Sequence, residues 1–177
     1  MSHTVIALVA ILLVIGTGVA GQAVTQPALR AAFLYNFAKF TEWPDDIATA
    51  GALTLCVLDD GAVEVALIEL VGNSLINGRT VTVSRGASGT RLRTCHVLYI
   101  GETNTTRAAA ILDELQKVPV LTVSNGDEFA RTGGMIGLFV EEGRMRFAIN
   151  PDTAQRAGVR LSSRLLQLAK IHRDDQP

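Results

Sequence analysis

Apolar and polar positions along this chain switch between a helical period and a strand period, and the switches mark its elements. Residues 31–44, AAFLYNFAKFTEWP, gather Phe33, Tyr35, Phe37, Phe40 and the single tryptophan, Trp43, in a chain otherwise poor in aromatics. Wound at about 100° per residue, this stretch sets Leu29, Phe33, Phe40 and Trp43 on one face, with Ala32 and Phe37 at its edges. That face is expected to be buried, since each ring removes a large apolar area from water. Asn36 projects from the middle of it, and a buried amide needs partners because leaving it unpaired costs roughly 1–3 kcal/mol. Pro44 is expected to end the helix, because the residue before a proline disfavours helical angles.

Beyond Pro44 the pattern alternates strands with helices. Residues 53–58 are apolar almost throughout, as in a strand covered on both faces. Residues 62–70 form an amphipathic helix with Val63, Ala66, Leu67 and Leu70 on one side, and Asn77-Gly78 is a turn. Residues 80–83 alternate as a half-exposed strand, and 96–100 form another buried one. Asn104 or Thr105 caps a helix over 106–116 with Ala109, Leu112 and Leu115 inward, and Pro119 breaks it. Strand 120–124 follows, then about one helical turn at 128–131. Strands 135–141 and 144–149 join through Glu142-Gly143, with Arg144, Arg146 and Ala148 facing opposite to Met145, Phe147 and Ile149. Asn150, Pro151 and Gly158 supply the cap, starter and stop of a helix. A last helix runs from 161 or 162 to 170 with Leu161, Leu165, Leu168 and Ala169 as its core stripe. The expected fold is an α/β three-layer sandwich. A mainly parallel central sheet of about six strands carries helices on both faces and an antiparallel hairpin at one edge.

The chain has 177 residues, enough for one domain with a full core. A formal net charge of −1 gives no electrostatic reason to expect nucleic acid. Residues 5–15 are apolar apart from small residues, and small residues follow at signal-peptidase spacing, so 1–23 is expected to be a signal peptide cleaved near Ala20 or Ala23. The alternative is an uncleaved membrane anchor. Residues 24–177 then form a single exported domain in an oxidising compartment, the periplasm. There Cys56 and Cys95 form a disulfide or remain two buried thiols, with export favouring the bond. With three histidines and no Cys-x-x-Cys pair, the chain gives a zinc site little support.

Catalytic constellations are missing from the sequence. It has no Gly-x-Ser-x-Gly elbow, no phosphate loop and no His-Glu-x-x-His. Gly133-Gly134 precedes a strand and has no third glycine at dinucleotide spacing. His96 opens a buried strand and is expected to be a structural residue. Asp59-Asp60 ends a strand where parallel sheets keep ligand sites, yet a solvated turn explains it more simply. Ser162-Ser163 beside Arg164 suits an anion or a plain helix cap. Asn36, Lys39 and Trp43 remain as candidate binding or structural-polar residues. No enzyme activity, cofactor or metal is expected.

Several blocks, in order, make the chain similar to the YfiR-like family of periplasmic regulators. They are AAFLYNFAKFTEWP at 31–44, LTLCVL at 53–58, CHVLYI at 95–100, PVLTVS at 119–124, GGMI at 133–136, RFAIN at 146–150 and LSSRLL at 161–166. The resemblance covers about residues 28–171. It implies an α/β domain that forms dimers, with Cys56 and Cys95 matching one family disulfide. The family's second cysteine pair has no counterpart, since Arg144-Met145-Arg146 and its surroundings lack cysteine. The resemblance further implies a non-catalytic repressor of the periplasmic sensor domain of an inner-membrane signalling protein, foremost a diguanylate cyclase and otherwise another sensor, acting on cyclic-di-GMP signalling and biofilm formation. An outer-membrane lipoprotein would sequester it. The competing expectations are a periplasmic small-molecule-binding domain, in which Asn36, Lys39 and Trp43 or the strand ends at Asp59 line a pocket, and then an enzyme.

Overall fold

The computed structural model describes residues 24–48, 51–85, 89–102 and 104–174. The expected signal peptide lies outside the described residues. The elements run α1 (Gln26–Lys39), β1 (Thr41–Glu42), α2 (Asp45–Ala48), β2 (Leu53–Leu58), α3 (Gly61–Val71), β3 (Leu75–Ile76) and β4 (Arg79–Arg85). A 3-10 helix (Gly89–Thr94) leads to β5 (Val97–Ile100), α4 (Thr105–Glu114), β6 (Leu121–Asn125) and α5 (Glu128–Arg131). Then follow β7 (Ile136–Glu141), β8 (Arg144–Ile149), α6 (Pro151–Arg156), β9 (Arg160–Leu161), α7 (Ser163–Gln167) and β10 (Lys170–Ile171).

Among the described residues, eight strands form the central sheet in the order β10-β8-β7-β6-β5-β2-β4-β3. The five from β4 to β7 are parallel, and β8 runs antiparallel to β7. The sandwich anticipated from the pattern is therefore present. Its two extra strands are two-residue edge pieces, too short to show a period. One is β3, joined to β4 through Asn77 and Gly78, both at positive φ (51° and 79°) as a tight hairpin requires. The other is β10, parallel to β8, so the β7–β8 hairpin lies one strand in from the edge. The expected last helix stops at Gln167, and the chain turns back into the sheet. β1 and β9 pair separately.

The sheet carries a core on each face. Leu53, Leu55 and Val57 of β2, with Val97 and Tyr99 of β5, point to the first, which α1, α3 and α7 cover. Cys56, Leu58, Leu98 and Ile100 alternate to the second, beneath the 3-10 helix and α4. The Cys56–Cys95 disulfide lies in the second core, with Cα atoms 5.9 Å apart and a sequence separation of 39. Here α4 buries Ile111 and Leu115 and half-buries Leu112, while Ala109 is exposed, contrary to expectation. Likewise Leu70 of α3 turns outward, and Val71 takes the inner position. Asp60 caps α3, its Oδ1 accepting from Val63 N at 3.1 Å, and Asp59 pairs with Arg107 at 2.9 Å, so both strand-end carboxylates have structural partners.

Candidate functional site

Helix α1 begins at Thr25, whose Oγ1 accepts from Ala28 N at 3.3 Å. It ends at Lys39, earlier than Pro44 predicts. Thr41 Oγ1 donates to Phe37 O at 2.7 Å, and Thr41 then pairs with Leu161 across β1 and β9. Trp43 therefore sits beyond the helix and shares no face with it.

The buried face of α1 is the reverse of the expected one. Ala31, Leu34, Phe37 and Ala38 are buried, against α3 and the sheet. The small side chains of Ala31 and Ala38 let the helix approach closely, where a row of rings would hold it off. Leu29, Phe33 and Phe40 are consequently displaced to the outer side and only half-buried. Asn36, between them, is exposed, and its Nδ2 donates to Ala32 O one turn back at 2.8 Å. It needs no partner in a core because it is not in one.

The displaced rings form one wall of an apolar groove. Leu29, Phe33 and Phe40 of α1 and its cap face Phe147 of β8 and Leu165 and Leu168 of α7, with Asn36 and Arg164 also lining it. The cavity volume is about 340 Å³. Its floor is an aromatic cluster: Phe147 stands edge-on to Phe37 at 5.2 Å and to Phe33 at 5.8 Å between ring centroids. Leu168, expected in the core stripe, is 70% exposed at the groove. Ser162 caps α7 through Leu165 N at 3.2 Å, so its hydroxyl serves the helix and not an anion.

Of the three candidate binding residues, the fold brings Asn36 to this groove. Lys39 is exposed in the last turn of α1, outside the lining. Trp43 lies elsewhere, buried with its ring 5.5 Å from that of His96 and nearly perpendicular to it; its Nε1 is buried and meets no acceptor among the described residues. His96 Nδ1 accepts from Thr54 N at 3.1 Å, and Arg79 Nη2 lies 2.9 Å from Nε2. Burial and, next, the Arg79 charge hold the His96 pKa below its ordinary value, so the ring is neutral and acts as a fixed packing and hydrogen-bonding piece. A second polar cluster closes the carboxyl ends of the strands. Tyr99 Oη donates to Asn125 Oδ1 at 3.0 Å, and Arg30 Nε donates to the same oxygen at 3.0 Å. Burial pushes the Tyr99 hydroxyl up to about 12, which keeps it a donor.

Phe147 and Leu168 were not singled out as site residues by the sequence, and Arg164 entered only beside Ser162-Ser163 as an anion candidate. The available signal was α1 itself, which is apolar nearly all round. A helix of that kind either packs on both sides or leaves one side for a partner.

The YfiR/HmsC-like family profile matches residues 27–170. The chain belongs to that family. The match spans the two cores, the disulfide and every residue lining the groove. The YfiR/HmsC-like proteins are periplasmic regulators of diguanylate cyclases, regulatory and not catalytic. Among the described residues, no helix is long and apolar enough to cross a membrane.

Proposed function

We propose that this protein is an exported repressor that binds the periplasmic sensor domain of an inner-membrane diguanylate cyclase through the groove between α1 and α7. Residues 1–23 act as the export signal, and the single domain from residue 24 onward works in the periplasm. The observation that carries the reading is the groove. A helix with a complete inner face spends a second set of large apolar residues on its outer side, and Leu168 stands 70% exposed beside them. Apolar residues gathered at one open site mark an interaction surface more often than residues scattered singly. Family membership supplies the class of partner. Asn36 contributes a polar contact at the groove and Lys39 one just outside it, while Trp43 supports the fold. A homodimer and sequestration by an outer-membrane lipoprotein belong to the same reading.

A second reading has its own support. About 340 Å³ of largely apolar lining falls within the size range of small-molecule sites. An apolar or aromatic metabolite in the groove would then compete with the sensor domain. The test is titration of purified periplasmic sensor domains of inner-membrane cyclases with the wild-type protein and with Phe33→Glu. Tight binding by the wild type and at least tenfold weaker binding by the variant supports the contact surface, about 1.4 kcal/mol or more. Equal binding by the two proteins refutes it. A thermal-shift series with aromatic amino acids and other small apolar compounds separates the second reading.

A further inference from the structure

The outer edge of β8 is only half covered. β10 pairs with Ala148 and Ile149 and stops there. Among the described residues, positions 144–147 thus have β7 on one side and no strand on the other. Successive residues of a strand aim their backbone groups to alternate sides. Ile149 O accepts from His172 N on the outer side, at 2.8 Å, and Asn150 N donates to Met135 O on the inner side, at 2.9 Å. The backbone of Met145, in phase with Ile149, therefore faces outward. Edges of this kind are where extended chains add as a further strand.

Two rows of side chains frame that edge. Met145 and Phe147 point toward the first core, and Phe147 is itself part of the groove. Arg144 and Arg146 alternate to the other face and are exposed. Arg146 lies 4.0 Å from Glu141, and Arg144 has no ion pair among the described residues. A second copy of the chain does not suit the edge. Two β8 strands related by a two-fold axis pair antiparallel, and opposite residues share a face. Every register that pairs more than one open residue then sets an arginine against an arginine, which is destabilising.

We propose that this edge takes an extended segment of another protein in which acidic and apolar residues alternate. Its acidic side chains meet Arg144 and Arg146, and its apolar ones lie over Met145 and Phe147 and run into the groove. The proposal rests on the reading of the groove as the partner surface and adds the conformation and charge of what the partner presents.

The probe is a labelled synthetic peptide of about nine residues alternating glutamate and valine, followed by fluorescence anisotropy on the whole protein. A lysine–valine peptide is the control. Expected is glutamate-peptide binding about tenfold tighter than that of the lysine peptide, the sum of two cross-strand charge pairs that attract glutamate and repel lysine. The double variant Arg144→Glu, Arg146→Glu inverts the order. Amide exchange at Met145 slows in the wild type when the glutamate peptide is added, a readout that needs no variant to fold. Equal affinity for the two peptides, no binding of either, or unchanged Met145 exchange overturns the proposal. No cyclase takes part, so a negative result here beside loss of sensor binding by Phe33→Glu removes the added strand and leaves the groove reading standing.

Discussion

The two sides of α1 solve different problems with similar residues. The inner side, Ala31, Leu34, Phe37 and Ala38, is closed and fully buried against α3 and the sheet. The outer side, Leu29, Phe33 and Phe40, is larger, more aromatic and half-open. Ala31 and Ala38 set the close approach of the helix, and the large Leu34 and Phe37 side chains are buried beside them. Close packing of a helix on a sheet selects size, while an open groove tolerates bulk and gains contact area from it. The opposite face of the sheet makes the same point from a distance. There the Cys56–Cys95 bond, Leu98, Ile100 and Ile111 form a sealed core that needs nothing from outside.

That contrast is open to test by substitution, and the largest effect falls on the sealed side. The double substitution Cys56→Ala, Cys95→Ala releases a loop of about 39 residues and is expected to lower stability by about 4 kcal/mol in urea denaturation. On the inner side of α1, Leu34→Ala removes a fully buried side chain and is expected to cost about 3 kcal/mol by the same assay. On the outer side, Phe33→Ala is expected to cost about 1 kcal/mol, because its ring already meets water. Equal costs for Leu34→Ala and Phe33→Ala would erase the distinction between the two faces.

The pH dependence is smaller and belongs to His96. Its folded pKa lies below the ordinary histidine value of about 6.5, so below that pH the unfolded chain binds more protons than the folded one. Stability should rise with pH through this window and fall on acidification from about 7 to 5. His96→Gln is expected to flatten that slope in thermal melts at successive pH values. A part of the slope remains with His172, whose pKa is lowered chiefly by burial. An unchanged slope would mean that His96 does not titrate against folding.

Much of the scaffold was legible in the sequence because its signals are local. Asn77-Gly78 and Glu142-Gly143 require positive φ and receive it, Asn104 and Ser162 cap the helices they precede, and uninterrupted apolar runs mark the parallel strands. The functional face was not legible in the same way. Periodicity shows that Leu29, Phe33 and Phe40 share a side of α1, but not which of two apolar sides meets the sheet. That choice is made by Ala31 and Ala38, whose small size matters only against a neighbour the sequence does not name. Thr41 ended the helix before Pro44 through a bond to Phe37 O, which removed Trp43 from the face altogether. Leu168 followed α7 out of the core because the chain returned to the sheet at Lys170, through a two-residue strand that carries no pattern.

The most direct test of the groove is one surface substitution, Leu168→Asp, read by calorimetric titration of a purified cyclase sensor domain and by a thermal melt of the same sample. Leu168 is mostly exposed, so the melt should stay within about 0.5 kcal/mol of wild type, while binding should weaken at least tenfold. Wild-type affinity in the substituted protein would contradict the account.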